Sequence, residues 1–361
     1  MSVYLDYNAT TPLREEAKIG MLEVMGPAYN ASSVHSYGRK AKSYLDEARD
    51  LVATLVNANS NQIIFTSGGT EANAMIMHSA SCPLISSIEH EAIIQSSHNP
   101  TFLEVNGNGQ VNLNQVEKKI LETKPDIISV MWANNETGVI QPINEIAEIA
   151  NNHNVHIHCD AVQAVGKIEI DFKFSGLDSL AISSHKIGGP SGVGALVVSD
   201  SQKLQPIIRG GGQERGYRSG TENLLGIVGF GAAAQKTLSE LKAFRNIVKQ
   251  QRQFEEKIKK NLSEIIIIGE SVERLPNTTC LYMPHLSSEA QVIALDLEGF
   301  AVSAGSACSS GKVKESHVLK AMGADWASRN SIRISSGWQN SENDLDNLAQ
   351  AYIELYKRSY K

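Results

Sequence analysis

Short apolar runs alternate with amphipathic stretches through the middle of the chain, from about residue 60 to residue 198. The apolar runs have the length of buried strands and lie at residues 62–65, 84–88, 127–132, 155–159, 180–183 and 193–198. Helical periodicity marks the stretches at residues 67–77, 90–95 and 142–154. Short links between strands and helices predict a mostly parallel sheet with helices on both faces, and therefore an α/β fold.

The pattern changes after residue 224. A polar helical pattern runs without proline from residue 225 to residue 262, which is too long for one ordinary globular helix and predicts a kink or a domain crossing. Short strand patterns then lie at residues 265–268, 279–283, 301–304 and 331–335, and helical patterns at 288–297 and 342–357. We expect a large domain at residues 14–245, and a smaller α+β domain made of residues 1–13 and 246–361.

Composition narrows the function classes. The chain has 361 residues, with 33 basic and 39 acidic side chains and a net charge of -6, which argues against nucleic acid as the main ligand. No apolar run approaches the ~18 residues of a membrane span. The first residues do not match a secretory leader, and the four cysteines show no C-x-x-C spacing. We therefore expect a cytoplasmic protein with reduced cysteines and no membrane partner.

The segment SGGTEAN, at residues 67–73, follows a predicted strand and begins a predicted helix. Its two glycines allow the backbone to approach an anion closely, and the Thr70 hydroxyl adds a donor to the free N–H groups of the helix start. A phosphate site is one interpretation. A glycine turn with a capping box from Ser67 to Glu71 is the other.

The segment HNVHIHCDAVQ, at residues 153–163, is rich in possible metal ligands. In a strand, however, His156 and His158 share one face while Cys159 points to the other, so the three do not converge on one ion and we expect no metal. Asp160 stands at the carboxyl end of this strand, where ligands bind in open α/β sheets. A carboxylate there can hold a protonated ring nitrogen, although a surface or capping role is an alternative.

Lys186 follows a predicted strand directly and precedes a glycine-rich turn, in the segment SSHKIGGPSGVGAL. This is an unusual place for a solvated lysine. One interpretation is a lysine that forms a Schiff base, with a phosphate site made by Ser183 and His185 beside it. The other is an ordinary lysine at the end of a strand.

Two later segments also contain candidate groups. GGGQERGYRSGTEN, at residues 210–223, combines glycines with Arg215 and Arg218, as expected of a loop near an anion or a subunit interface, or of a flexible basic loop. In GSACSSG, Cys308 lies among small residues rather than in an apolar run like that around Cys280. An exposed thiol becomes a nucleophile when its pKa is lowered, so Cys308 is the candidate reactive cysteine.

Taken together and in order, these segments resemble the cysteine desulfurases, which are pyridoxal-phosphate enzymes of the class V aminotransferase group with the type I fold. The resemblance extends over the whole chain. It is carried by YLDYNATTP, SGGTEAN, SIEHEAI, NNETGVIQP, HCDAVQAVGK, SSHKIGGPSGVGAL, GGGQERGYRSGTEN, GSACSSG and SIRIS.

The resemblance implies a role for each matching residue. Lys186 would form the Schiff base with pyridoxal 5'-phosphate, Asp160 would pair with the ring nitrogen, and Cys308 would be the nucleophile. Other residues would contact the ring or the phosphate, namely Gly69, Thr70, His90, Asn135, Gln163, Ser183 and His185, with Thr221 reaching the phosphate from the partner subunit of a homodimer. The substrate carboxylate would bind to Asn135 and Arg333, because the arginine fork matches a carboxylate. His90 would be catalytic as well, stacked on the ring.

The implied reaction converts L-cysteine to L-alanine and leaves a persulfide on Cys308. The sulfur would pass to an acceptor protein, such as an iron–sulfur scaffold, for iron–sulfur clusters or another thio-cofactor. A selenocysteine lyase or another class V aminotransferase is the alternative enzyme. A non-catalytic assembly factor would be expected to lack Lys186, Asp160 or Cys308, and this chain has all three.

Overall fold

The structure is a computed structural model that describes residues 2–199, 204–242, 244–305 and 315–359. The predicted nucleophile Cys308 lies outside the described residues. The chain begins with the short strand β1 (Val3–Tyr4) and two helices, α1 (Glu15–Val24) and α2 (Ser36–Leu55).

The largest sheet follows these helices. Within the described residues it has seven strands, which are β2 (Ile63–Thr66), β3 (Pro83–Ser86), β4 (Thr101–Leu103), β5 (Ile127–Ser129), β6 (His156–Asp160), β7 (Ser179–Ser183) and β8 (Gly194–Val198). Their order is β2-β8-β7-β6-β5-β3-β4. All neighbours are parallel except β8, which is antiparallel to both β2 and β7, so the prediction of a mostly parallel sheet is confirmed.

Helices cover both faces of this sheet. They are α3 (Gly69–His78), α4 (Glu91–Ile94), α5 (Leu113–Thr123), α6 (Ile143–Asn152) and α7 (Leu224–Glu240), together with α1 and α2. Successive residues of β2 enter different cores, since Ile63 and Phe65 pack in one cluster while Ile64 packs with α3 in another. This is the two-residue alternation of a strand that is buried on both faces.

The long helical pattern of residues 225–262 is broken, as its length predicts. The helix α7 ends at Glu240, and α8 (Arg245–Asn261) begins after a short turn. The two helices pack in different hydrophobic cores. Phe230 of α7 packs against the large sheet, whereas Phe254 and Ile258 of α8 pack in a second cluster with Ile332.

The rest of the chain forms a second layer. It contains β9 (Ile266–Ile267), β10 (Thr278–Tyr282), α9 (Ser288–Leu297), β11 (Phe300–Ala301), β12 (Ser303–Ala304), α10 (His317–Ala321), β13 (Ser331–Ser335) and α11 (Glu342–Ser359). An antiparallel sheet has the order β12-β13-β10-β9, and β1 pairs in parallel with β11. The stretch predicted as one strand at 301–304 is two short strands, because Ala301 pairs with β1 while Ser303 pairs with β13.

The start of the chain is thus attached to its end, and Asp6 forms an isolated bridge with Ser335. A small apolar cluster joins the two layers, where Met131 of the large sheet region packs near Cys280 and Leu319. The division at residues 13/14 and 245/246 stays a prediction. None of the helices formed by the described residues is both long and apolar enough to cross a membrane.

Candidate active site

A cavity of about 260 Å³ opens at the carboxyl ends of β6 and β7. This is the edge where an open parallel sheet binds ligands, because its strands end there together and their loops diverge. Nine of the residues singled out in the sequence line this one cavity, namely Gly69, Thr70, His90, Asn135, Asp160, Gln163, Ser183, His185 and Lys186. Residues that are up to 117 positions apart are therefore brought together.

Asp160, the last residue of β6, places its carboxylate at the floor of the cavity. Its Oδ1 accepts a hydrogen bond of 2.9 Å from the Val162 N–H, and its Oδ2 accepts one of 2.7 Å from the Asn73 side-chain amide. Both oxygens are thus held by donors, which fixes the orientation of the carboxylate. Asn73 also lines the cavity, although the sequence reasoning did not single it out.

Glu89 is a second carboxyl group near Asp160, and the sequence analysis missed it. Its Oε1 accepts hydrogen bonds of 2.7 Å from the Ser86 hydroxyl and the Met131 N–H, while its Oε2 has no partner among the described residues. Complete burial, helped by the negative charge of Asp160, raises the pKa of Glu89 to about 8. Glu89 therefore holds its proton at neutral pH and adds no second negative charge beside Asp160. The sequence did offer a clue to Glu89, because this residue directly precedes the predicted site residue His90.

Lys186 ends a short 3₁₀ turn, Ser184–Lys186, directly after β7. Its Nζ donates hydrogen bonds of 2.5 Å and 2.7 Å to the carbonyl oxygens of Asn8 and Ala9. Burial, and then the positive charge of Arg333, lower the pKa of Lys186 to about 8. A larger fraction of this amine is neutral at pH 7 than of an exposed lysine, and the neutral amine is the nucleophilic form.

The first residues of the chain accept hydrogen bonds from residues that line the cavity, which the sequence pattern did not reveal. Asn8 accepts from Lys186 through its carbonyl oxygen, which also accepts a 3.0 Å hydrogen bond from the Gln163 amide. Its side-chain oxygen accepts a 2.6 Å bond from Lys167, a buried lysine that also donates to Gln163. Burial lowers the pKa of Lys167 well below its usual value. The available signal was the presence of Asn8 and Lys167 in the quoted segments YLDYNATTP and HCDAVQAVGK.

Two histidines of the cavity are held by neighbouring groups. His90 caps α4, where its Nδ1 accepts a 3.0 Å hydrogen bond from the Ala92 N–H. His185 lies 3.2 Å from the Thr10 hydroxyl through its Nδ1, and burial lowers its pKa to about 4, helped by the charge of Lys186. His185 is therefore a neutral hydrogen-bonding group at neutral pH.

The start of α3 closes the opposite end of the cavity. The helix begins at Gly69, and the first-turn N–H groups of any helix lack partners within it and attract anions. A side chain at Gly69 would come within 2.7 Å of Val162, so only glycine fits this close approach. Glu71 does not occupy the anion position, because its carboxylate binds the Ser67 N–H and Arg218.

Two predicted residues do not line the cavity. Arg333, on β13, is buried and donates a 2.6 Å bond to Asp6 and a 3.0 Å bond to the carbonyl oxygen of Asn135, which does line it. Its Nε is buried without a partner in the part of the chain that the structure describes. Thr221 is exposed and lines a separate small cavity near Ser67.

The histidine-rich segment diverges instead of forming a metal site. His156 lies 3.5 Å from Asp178 and His153 lies 3.1 Å from Glu117 on the outside of the sheet, whereas His158 is buried and faces Asn73. Cys159 is buried, and burial raises the pKa of its thiol well above the usual value. Among residues 2–199, 204–242, 244–305 and 315–359, no three histidine, cysteine or acidic side chains gather in a metal-binding group.

Comparisons with known protein families, sequences and structures agree. The family model for aminotransferase class V matches residues 3–348. The cysteine desulfurase IscS of Dictyoglomus turgidum is 38% identical over 362 residues, covering 95% of this chain and 92% of that protein. A solved structure of a NifS-like protein from Rickettsia africae has a TM-score of 0.91 and 37% identity, covering 99% of this chain and all of the other.

One further similar structure was solved with a bound amino acid. The protein SspA, in complex with cysteine, matches with a TM-score of 0.80 and 30% identity. The alignment covers 93% of this chain and 98% of that one.

Proposed function

This chain belongs to the class V aminotransferase family and is a cysteine desulfurase that depends on pyridoxal phosphate, and we propose that the described cavity is its active site. The observation that carries the proposal is the convergence of nine predicted residues on that single cavity. When bound, pyridoxal phosphate supplies an electron-withdrawing ring attached to the substrate nitrogen. Everything else in the reaction must come from the side chains around it.

The groups of the cavity match the chemistry of this cofactor. An amine of lowered pKa (Lys186), a carboxylate held by two donors (Asp160) and the anion-attracting start of α3 stand around one space. We assign Lys186 to the covalent link with the cofactor, Asp160 to the protonated ring nitrogen, and His90 to the ring face. Gln163 serves the ring oxygen. The phosphate is assigned to Gly69, Thr70, Ser183 and His185.

Thr221 is assigned to the phosphate of a partner subunit. Its exposure and its absence from the cavity of its own chain support a site completed by a homodimer.

Asn135 and Arg333 are assigned to the carboxylate of L-cysteine. The Arg333 guanidinium is buried and pairs with Asp6, and its Nε has no partner among the residues described. A buried donor without a partner is costly, so an arriving carboxylate that accepts from it is stabilised. The cysteine bound to the related SspA structure supports this choice of substrate.

The sulfur-transfer step is assigned to Cys308, on its sequence context alone. Its thiolate attacks the sulfur of L-cysteine and a sulfur–sulfur bond forms. The carbon–sulfur bond breaks, its electron pair stays on carbon, and a proton is delivered there, so that L-alanine leaves. Lys186 suits that proton transfer, because an amine with a pKa of about 8 exchanges protons readily near neutral pH.

The persulfide would then be passed to an acceptor protein such as an iron–sulfur scaffold. A catalytic thiol must stay reduced before each turnover, which fits a reducing compartment. The free cysteines Cys82, Cys159 and Cys280 also support a cytoplasmic location. We also propose the division into residues 14–245 and residues 1–13 with 246–361. Separate sheets and separate apolar clusters support it.

The experiment is turnover of L-cysteine by the holoenzyme with a reductant, followed by measurement of sulfide, alanine and keto acid. We expect equal amounts of sulfide and alanine. Cys308→Ala should keep the cofactor's absorption and lose sulfide release by about a thousandfold or more, as expected for loss of a nucleophile. Cys82→Ala is the matched control and should keep full activity. A keto acid product, or full activity in Cys308→Ala, would contradict the proposal.

A further inference from the structure

A buried row of hydrogen bonds ends on the Asp160 carboxylate. The Ser179 hydroxyl lies 2.9 Å from Nδ1 of His158, and Nε2 of His158 lies 3.0 Å from Oδ1 of Asn73. The Asn73 amide nitrogen lies 2.7 Å from Oδ2 of Asp160. Ser179, His158 and Asn73 come from β7, β6 and α3, and all are at most 1% exposed.

The chemistry of the four groups determines the direction of every hydrogen bond in this row. An ionised Asp160 can only accept, so Asn73 must turn its NH₂ toward Asp160 and its oxygen toward His158. Nε2 of His158 therefore has the proton, Nδ1 has the lone pair, and the Ser179 O–H donates to it. Burial lowers the pKa of His158 to about 3, so the ring is neutral and carries this single proton.

We propose that Asn73, His158 and Ser179 are positioning residues that orient the Asp160 carboxylate toward the ring nitrogen of the cofactor. This inference rests on the proposed role of Asp160. Every O–H and N–H of the row points toward the carboxylate, so each bond polarises the next and the row holds the Asp160 oxygen in one orientation. The Val162 N–H holds the other oxygen.

A purely structural role explains the row less well. Three buried polar side chains are costly to desolvate, and an apolar set of similar volume would join α3 to the sheet without that cost. The row also ends on a residue that lines the cavity, and Asn73 lines it too. The hydrogen bond from His158 holds the side-chain oxygen of Asn73, so its NH₂ group must face Asp160. An amide that was free to rotate could present its oxygen to Asp160 instead.

The first test is the tautomer of His158 in the full-length protein, with and without cofactor. Nitrogen-15 NMR of labelled histidine, assigned by loss of the signals in His158→Gln, should show a neutral ring with its proton on Nε2 from pH 5 to pH 8. A proton on Nδ1 would overturn the inference, because Asn73 would then have to point its oxygen at Asp160. A doubly protonated ring at pH 6 would overturn it as well.

The second test measures the dissociation constant of pyridoxal phosphate in a double-mutant cycle. His158→Met should raise that constant about tenfold in the natural background, and less than twofold when Asp160→Asn is already present. His158→Gln should recover most of the affinity, since its amide nitrogen can donate to Asn73. If His158→Met does not fold, the milder variant Ser179→Ala replaces it. Ser179→Ala should raise the dissociation constant about threefold.

The outcomes separate the two proposals. If Asp160→Asn leaves the cofactor's affinity and absorption unchanged, the proposed role of Asp160 fails. If Asp160→Asn weakens binding but His158→Met and Ser179→Ala lower only the melting temperature of the cofactor-free protein, the role of Asp160 stands and the inference fails. Equal effects of His158→Met in both backgrounds would also overturn it.

Discussion

The cavity itself and the region that adjoins it at Asn135 are built in different ways. The cofactor wall, which we define as Asp160, Gln163, Ser183, His185 and Lys186, comes from two neighbouring parallel strands and the turns that follow them. The substrate wall, which we define as Asp6, Asn135 and Arg333, meets the cavity at Asn135 alone. One guanidinium group there joins residues that are 327 and 198 positions apart.

The difference shows what each wall depends on. The cofactor wall needs only the edge of one sheet, so its groups remain together as long as β6 and β7 pair. The substrate wall needs the second sheet and the start of the chain, because Arg333 lies on β13 and Asp6 bridges to that strand. Changes in one wall should therefore affect cofactor binding and changes in the other should affect substrate binding.

The largest expected effect is on the cofactor wall. Lys186→Ala should lower turnover by about a thousandfold or more, because it removes the amine that we assign to the cofactor link and to the proton transfer. The absorption of the bound cofactor should change as the covalent link is lost. Lys173→Ala, at an exposed position on the same sheet region, serves as the control and should leave both properties unchanged. Normal turnover in Lys186→Ala would mean that another amine does this work.

A smaller effect is expected on the substrate wall. Arg333→Leu should raise KM for L-cysteine about a hundredfold, because it removes the charge-assisted contact that we assign to the substrate carboxylate. The dissociation constant of pyridoxal phosphate should change less than twofold. Arg333→Lys keeps the positive charge but loses the planar fork of the guanidinium group. It should therefore give a KM between those of the natural protein and Arg333→Leu. Equal losses in cofactor and substrate binding would show that the two walls are not separable.

The smallest effect concerns Glu89, behind the cofactor wall. Its pKa is raised to about 8 in the folded protein, so its contribution to stability is complete below pH 4.5 and is lost as pH rises toward 8. Glu89→Gln keeps an acceptor for Ser86 and Met131 but cannot ionise. Its stability relative to the natural protein should therefore rise between pH 5 and pH 8, by at most about 1.4 kcal/mol for each pH unit.

Melting curves across that pH range, with the exposed Glu91→Gln as control, measure this effect. A constant difference between Glu89→Gln and the natural protein at all pH values would show that Glu89 is ionised throughout. In that case both Asp160 and Glu89 would be negatively charged at neutral pH.

Sequence reasoning reached the cofactor wall because strand patterns are local. A polar residue at the end of an apolar run lies at the sheet edge, whatever the rest of the chain does, and this located Asp160 and Lys186. The same reasoning missed Asn8, Lys167 and Glu89, since no short-range pattern says that a residue near the amino terminus will accept a hydrogen bond from Lys186.

The sequence by itself determined the alternating strands and helices, the presence of a break in the helical pattern of residues 225–262, and the chemical groups available at the sheet edge. Hydrophobic periodicity and strand direction are enough for these, because they depend on neighbours in the chain. Only the tertiary structure decided that Glu89 holds a proton, that Arg333 is tied to Asp6, and that Ser179, His158 and Asn73 form one row. Burial and the identity of the hydrogen-bond partner control those properties, and both arise when distant segments pack together.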